Sequence, residues 1–330
     1  MTNLKLAIIR EQVDLKQYNW FGVGGLARYF SEPKTVDELT EVIHWQKTHS
    51  LVVRLLGQGA NVLISDEGFN GLVIKLALLD IVHEDYDNEF VLLTASAGCS
   101  LEAVIGYMFD RAKCVGLEEF SGIPSSIGGA LFINLHYFEF LISMFVFTAT
   151  VYDIKNAEMK IVDREWFQFG YDDSIMKRDR NFILINATFK LKKANELAIA
   201  FAKGRNVEIV RHRKSRFPYQ KTCGCFFKNF SQEDENLVIN GEGKKILAAA
   251  YYIDQLGLKG VLYKGHSFIS SKHANMITHD GEGTASEIIE IARVIQKEVF
   301  KEFRLCLEPE CELIGFDSYP LYTIKELLEL

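Results

Sequence analysis

Apolar positions recur along this chain with two periods, one helical and one of alternating strand type, and their interleaving predicts an α+β protein. Val36, Leu39, Val42 and Ile43 share one helical face behind Thr35 and Glu38, which are spaced as a capping box, so a helix is predicted to about His49. The stretches 52–56 and 68–76 read as strands on either side of a glycine-rich turn, and 91–95 as a further strand. Ser100 is placed to cap a helix running to about Lys113. The uncharged apolar run 140–152 predicts a buried core strand, and Ile183, Ile185, Ala187, Phe189 and Leu191 alternate like a strand with one covered face. Ile246, Leu247, Ala250 and Ile253 predict a helix over 243–256 closed by Gly257. A second capping box, Thr284 with Glu287, opens a helix whose Ile288, Ala292, Ile295, Val299 and Phe303 keep helical spacing.

Two stretches break these patterns because they lack bulky side chains. In 121–134, Pro124, small hydroxyl residues and the adjacent Gly128 and Gly129 describe a backbone that turns tightly and leaves its amides open to a ligand. The stretch 57–66 has the same character, and consecutive N–H groups in such a turn form an anion-binding concavity. A glycine-rich turn between strands is usually only a turn. Together, their order and flanks point to one dinucleotide held by both. No helical pattern opens after 57–66, so the nucleotide-binding Rossmann fingerprint does not fit.

Composition narrows the class. The 330 residues exceed one typical domain, and 48% hydrophobic with 25% charged residues excludes disordered and coiled-coil chains. A formal net charge of −7 argues against nucleic acid as a partner. The N-terminal apolar patch is too short for a signal peptide, and the run 140–152 falls short of the ~20 residues of a membrane helix, so a cytoplasmic protein without a membrane span is expected. Cys99, Cys114, Cys223, Cys225, Cys306 and Cys311 are scattered as free thiols would be, and no second close pair accompanies Cys223 and Cys225, so no metal is expected. The charged segment 192–216, with Arg205, Arg211, His212, Arg213, Lys214 and Arg216, reads either as a solvated helix between domains or as a ligand contact.

The segments 19–30, 57–76, 121–134, 169–174, 224–229, 253–260, 271–275 and 307–310 together resemble those of UDP-N-acetylenolpyruvoylglucosamine reductases, the MurB flavoenzymes of peptidoglycan precursor synthesis, in order and over nearly the whole chain. The resemblance implies an FAD-binding region over 1–194, built of two α+β subdomains split near 76–80 and of the vanillyl-alcohol-oxidase/PCMH type. It implies a MurB-type α+β substrate domain over 195–330 whose last segment returns to the flavin site. FAD would lie with its pyrophosphate on Gly57, Gly59, Ala60, Asn61 and Val62 of one loop and on Gly122, Ile123, Pro124, Ser126, Gly128, Gly129 and Asn134 of the other. Neither loop contains the histidine that tethers flavin in some relatives of this wider fold, so binding is expected to be non-covalent. NADPH is the implied electron donor, a UDP-sugar the implied substrate, and a monomer the expected state.

The implied reaction reduces UDP-N-acetylglucosamine enolpyruvate to UDP-N-acetylmuramate. Hydride addition at the β-carbon of an enol ether beside a carboxylate builds an aci-carboxylate, which needs hydrogen-bond donors there and an acid at the α-carbon. Motif position makes Cys225 the implied proton donor, and a thiol with an ordinary pKa of ~8.5 is a stronger acid than a serine hydroxyl. Glu310 matches the glutamate near the family C-terminus, with Glu308 as the alternative, while Tyr171, Lys228, Asn229, Lys259, His273 and Asn275 fall on the implied substrate side. By their residue types alone, Cys225 reads as a buried structural cysteine and Glu310 as an exposed strand-end carboxylate.

Two departures stand out. Where the family motif has an arginine that stabilises the enolic intermediate, this chain has Asp172, and a carboxylate cannot replace a guanidinium facing a substrate carboxylate. Either Lys177, Arg178 or Lys228 has taken over, or turnover is poor. The family's small residues after Asn134 are replaced by the bulky 135–140, in which His136 reads as a packed surface histidine, with a polar contact to ligand as the alternative. The departures motivate a second reading, a catalytically impaired homologue that binds FAD or UDP-sugar. A third is another FAD-linked carbohydrate oxidase.

Overall fold

In the computed structural model, residues 8–329 are described, and they fall into two compact units. The first holds residues up to Glu11, Tyr29–Gln58 and Gly71–Arg213; the second holds Gln12–Arg28, Gly59–Asn70 and the chain from Lys214 on. No helix among the described residues is long and apolar enough to cross a membrane.

The first unit is built on a six-stranded sheet. Its strands run in the order Glu158–Asp163, Val146–Asp153, Phe182–Lys193, Phe90–Ser96, Ile81–Asp85, with Cys114–Val115 also pairing to Phe182–Lys193. One face, with Leu93, Ala95, Ala149, Ala187, Phe189 and Leu191, packs against the helices Leu101–Asp110 and Ile127–Phe132. The alternation predicted from Ile183 to Leu191 changes phase along the strand. A register shift between Thr150 and Val151 of the neighbouring strand turns Ile183 and Ile185 into a second core with Leu39, Val42, Ile43, Leu72 and Ile74, while Ala187, Phe189 and Leu191 stay in the first. One bulged residue exchanges the faces of a strand, so one strand feeds two cores.

Thr35 caps the helix Val36–Thr48 as predicted, accepting from the Glu38 N–H at 3.1 Å, but the Glu38 carboxylate accepts from the Lys34 N–H rather than from the cap residue itself. The expected strand over 140–152 divides into Phe140–Leu141, a 3-10 turn Ile142–Met144 and the strand Val146–Asp153. Asn134 explains the break, because its side-chain oxygen accepts from the Ser143 N–H and holds the chain in a turn. The helix expected over 243–256 is confined to Ala249–Gln255, since Asn240 collects the N–H groups of Glu242 and Lys244 in a turn that competes with helix. The stretch 121–134 is not loop throughout: Ser126 caps the short helix Ile127–Phe132. The charged segment is the helix Glu196–Arg216, buried only at Ile199, Ala202 and Ile209. Its Arg205 pairs with Glu119, Asn206 donates to the Ser121 hydroxyl at 2.6 Å, and Arg213 donates to the Gly122 carbonyl at 3.3 Å, so it braces the second glycine stretch.

The second unit packs Phe21, Val23, Leu63, Phe226, Phe227 and Tyr252 around the helix Ala285–Phe303. Beside them lie the antiparallel strands Tyr263–Lys264, Ser267–Ile269 and Ile277–His279, and a parallel pair in which Glu312–Ile314 runs along Val62–Ile64. The long helix carries the predicted capping box, Thr284 and Glu287 each accepting from the other's N–H. Asp66 completes its first turn: the carboxylate accepts from the N–H groups of Ala285 and Ser286, both at 2.9 Å, and from the Ser286 hydroxyl. Backbone donors at a helix start have no partner within the helix, and a carboxylate also favours the positive end of its dipole. Asp66→Ala should therefore lower the unfolding free energy by about 1 kcal/mol, with Asp66→Asn retaining part of it; denaturant titration measures this, and an unchanged midpoint for the alanine variant would refute the cap.

Candidate functional site

In the first unit the two glycine stretches meet. A Cβ at position 57 would come 2.5 Å from Ser126 Oγ, with Gly129 Cα next nearest at 3.9 Å, so only glycine allows this approach. The amides of 123–129 are largely used to build the turn itself: Ile123 donates to Phe120, Ser125 to Ile123, Ile127 to Cys99, Gly128 to Ala97, and Gly129 to Ser126 Oγ. The Gly122 and Ser126 amides take no part in those bonds. Ser126 N–H lies across a planar trans peptide from the Ser125 carbonyl, which accepts from Leu101, and so points the opposite way.

Past this turn, 132–136 is fastened to 170–174. Asn134, buried and in a left-handed conformation with φ 49, donates to the Gly170 carbonyl at 2.9 Å, and Ser174 Oγ donates to the Phe132 carbonyl at 2.8 Å. The His136 ring lies 4.9 Å from that of Tyr171 at a 41° tilt, and the Tyr171 side chain is 54% exposed. Asp172 is 3% exposed, again with a left-handed backbone, and Lys177 Nζ donates both to its carboxylate at 2.9 Å and to its carbonyl at 2.7 Å. The residue at the arginine position thus turns inward onto a cation of its own chain. Arg178 pairs with Asp173 and also donates to the Gln168 carbonyl. Burial pulls the His136 pKa down, and the nearby Asp172 carboxylate partly offsets it.

In the second unit, Gly59, with φ +67, packs against Tyr18 and Asn19 so closely that a Cβ would overlap the Tyr18 carbonyl. The Gly59 carbonyl accepts from the Trp20 N–H at 2.9 Å and the Asn61 carbonyl from the Glu312 N–H at 3.0 Å. Across each planar peptide the next amide, that of Ala60 or of Val62, faces the other way and is presented as a donor. Asn61 also donates to the Glu310 carbonyl at 3.4 Å.

Segments 224–229 and 307–311 run antiparallel. The Glu310 N–H donates to the Phe226 carbonyl at 2.8 Å, the Lys228 N–H to the Glu308 carbonyl at 2.9 Å, and Phe227 bridges Pro309. Cys225 and Glu310 therefore occupy neighbouring positions on paired segments. Burial pushes the Cys223 thiol well above the ordinary range, and Cys311, Glu310 and Cys225, all close by, push it further. All six cysteines are free, and no group of three or more His, Cys, Asp or Glu among the described residues could hold a metal ion. Cys223 and Cys311 entered no expectation about the site; their only sequence signal is that they flank Cys225 and Glu310.

The remaining candidates divide by what their side chains already do. Asn275 is buried, and its amide accepts from the Phe227 N–H at 3.0 Å and donates to the Phe227 carbonyl at 2.7 Å, holding the cysteine motif in place. Asn229 accepts from the Ala249 N–H, and the Lys228 ammonium lies 3.6 Å from the Glu308 carboxylate. Lys259 pairs with Asp254 at 3.0 Å. Both flank His273, whose pKa is lowered to about 4 by burial first and then by Arg216 and Lys259, against the pull of Asp254. An open cleft of ≈ 540 Å³ in this unit, lined by Gln12, Arg28, Asp66, Glu67 and Asn70 among others, contains none of the candidate residues.

Comparison with known proteins matches residues 27–141 to a family described as FAD binding domain and residues 216–314 to one described as UDP-N-acetylenolpyruvoylglucosamine reductase, C-terminal domain. The UDP-N-acetylenolpyruvoylglucosamine reductase of Caldicellulosiruptor saccharolyticus is 32% identical over 316 residues, 94% of this chain and 93% of that one. That of Chlamydia muridarum is 30% identical over 317 residues, 96% of this chain and 98% of the relative. The crystal structure of UDP-N-acetylenolpyruvylglucosamine reductase (MurB) from Thermus caldophilus matches with a TM-score of 0.72 at 29% identity, covering 93% of this chain and 99% of the other.

The state of His273 has a measurable consequence. An unfolded histidine binds its proton near 6.5, whereas the folded one does so only near 4, so this group's contribution to stability is complete above pH 6.5 and declines as pH falls from 6.5 to 4. The His273 imidazole resonances should titrate near pH 4, and His273→Gln should flatten that part of the stability profile; titration at or above the ordinary 6.5 would contradict its burial.

Proposed function

Because this chain belongs to the UDP-N-acetylenolpyruvoylglucosamine reductase family, we propose that it reduces UDP-N-acetylglucosamine enolpyruvate to UDP-N-acetylmuramate with NADPH as the electron donor. The fold class read from the sequence, an α+β FAD-binding region followed by a MurB-type C-terminal domain, agrees with those relatives. In this reading residues 1–194 hold the flavin and 195–330 the sugar nucleotide, and the protein acts in the cytoplasm as a monomer.

The residues present fit FAD. Glycine at 57 and 59 leaves backbone where any side chain would intrude, and the Ala60, Val62 and Ser126 amides are presented as donors to a pyrophosphate. When bound, FAD supplies hydride transfer between NADPH and the enolpyruvyl group. The chain's own task is to orient that group, stabilise charge on its carboxylate and deliver a proton to the α-carbon. Cys225 is assigned the proton, Glu310 its positioning and polarisation, and Tyr171, Lys228, Lys259 and His273 contacts with the sugar nucleotide. Asn229 and Asn275 act on the same ligand through the backbone they hold.

The observation that carries this reading is the 2.8 Å bond from the Glu310 amide to the Phe226 carbonyl, which sets the implied acid and its carboxylate side by side from distant parts of the sequence. Burial of Asp172 and its pairing with Lys177 weigh against the impaired alternative, which needed that carboxylate to confront the substrate.

Two anaerobic half-reactions test it. NADPH should bleach the purified yellow protein, and the enolpyruvyl sugar nucleotide should then restore the colour. Cys225→Ala should slow the second step by at least ~100-fold relative to the first, with Cys225→Ser recovering part of the rate. Equal losses in both steps would remove Cys225 from the role of proton donor.

A further inference from the structure

The bulky segment after Asn134 and the aspartate at position 172 lie in different parts of the sequence, yet they form one assembly. The chain from Phe132 to His136 is fixed to the chain from Gly170 to Ser174 at three successive points: Ser174 Oγ on the Phe132 carbonyl, Asn134 on the Gly170 carbonyl, and the His136 ring against Tyr171. Asp172, next along the chain, is buried with its carboxylate on the Lys177 ammonium at 2.9 Å. The carboxylate is therefore behind this surface, and the aromatic pair is at it, since Tyr171 is 54% exposed and His136 half-buried.

We propose that His136, braced by Tyr171 and backed by the Asp172–Lys177 pair, is the hydrogen-bond donor that meets the negative charge developing on the substrate carboxylate. The proposal rests on the reductase reading above. A neutral imidazole still carries one N–H donor, so it needs no proton from solvent to act. Its ring is held in orientation by the tyrosine, and the negative Asp172 nearby favours positive charge on it as the substrate's charge grows. Lys177 keeps Asp172 from acting as a bare buried anion, which would otherwise repel the same substrate. The two departures from the family pattern become a single compensated change: one side chain leaves the surface and another, from the facing segment, enters it.

The test compares three proteins in their FAD-bound state. His136→Phe keeps a ring against Tyr171 and loses the donor; His136→Gln keeps a donor and loses the ring. With a preorganised donor worth on the order of 100-fold in rate, His136→Phe should slow reoxidation by the enolpyruvyl sugar nucleotide by about that factor relative to reduction by NADPH. His136→Gln should fall between it and the parent. Independently of turnover, calorimetry on the oxidised protein should show UDP-N-acetylmuramate binding about tenfold more weakly to His136→Phe, because a hydrogen bond to a carboxylate is lost. The proposal is overturned if His136→Phe reoxidises and binds product like the parent, or if both half-reactions slow equally. It is likewise overturned if both variants lose flavin absorbance and melt early, which would make the side chain structural. A parent protein that is bleached by NADPH but never reoxidised by the sugar nucleotide would instead overturn the reductase reading itself.

Discussion

The parallel pairing of Glu312–Ile314 with Val62–Ile64 is the constraint on which the second unit depends. Parallel neighbours cannot be joined by a tight turn, so the chain must complete nearly its whole course before the pair closes. Once closed, it fixes several things together. The Asn61 carbonyl is taken by Glu312, which turns the following amide outward. Glu310 is drawn to Asn61 on one side and, through its own amide, to Phe226 on the other. A stretch of early sequence, Gly59–Asn70, is thereby incorporated among residues from beyond Lys214. The cost of closing so large a loop rises only slowly with its length, so a short strand pair embedded in a core with Leu63, Leu307 and Cys311 suffices.

Buried asparagines hold the segments that strands and helices leave loose. Asn19 donates to the carbonyls of Leu15 and Val23 and accepts from Gly22; Asn134 links Gly170 to Ser143; Asn275 pairs with both backbone groups of Phe227. A carboxamide has the donor and acceptor of a peptide group, so each substitutes for a missing strand neighbour without bringing charge into the core. Where charge does enter, it is paired. Asp172 has Lys177, Lys259 has Asp254, and the imidazoles of His136 and His273 are driven toward neutrality by burial. Such a resting state holds its donors ready while leaving no isolated charge to solvate.

What the sequence determined by itself was local. The Val36–Thr48 and Ala285–Phe303 helices were legible because caps and apolar spacing act within a few residues, and the glycine stretches because only glycine tolerates their backbone. The membership of motifs in one family was legible for the same reason, each being a short run of contiguous residues. Tertiary structure decided what depends on partners from elsewhere. The bulge opposite Thr150 and Val151 sent Ile183 and Ile185 to another core than the alternation implied; Asn134 broke the apolar run near Ser143; the Asn240 turn shortened the helix before Gly257. The same holds for chemistry. Residue types identified Asp172 as an unfavourable charge, but only the fold turned it onto Lys177 and set His136 beside Tyr171, because side-chain direction and desolvation are properties of the packed surroundings rather than of the residue.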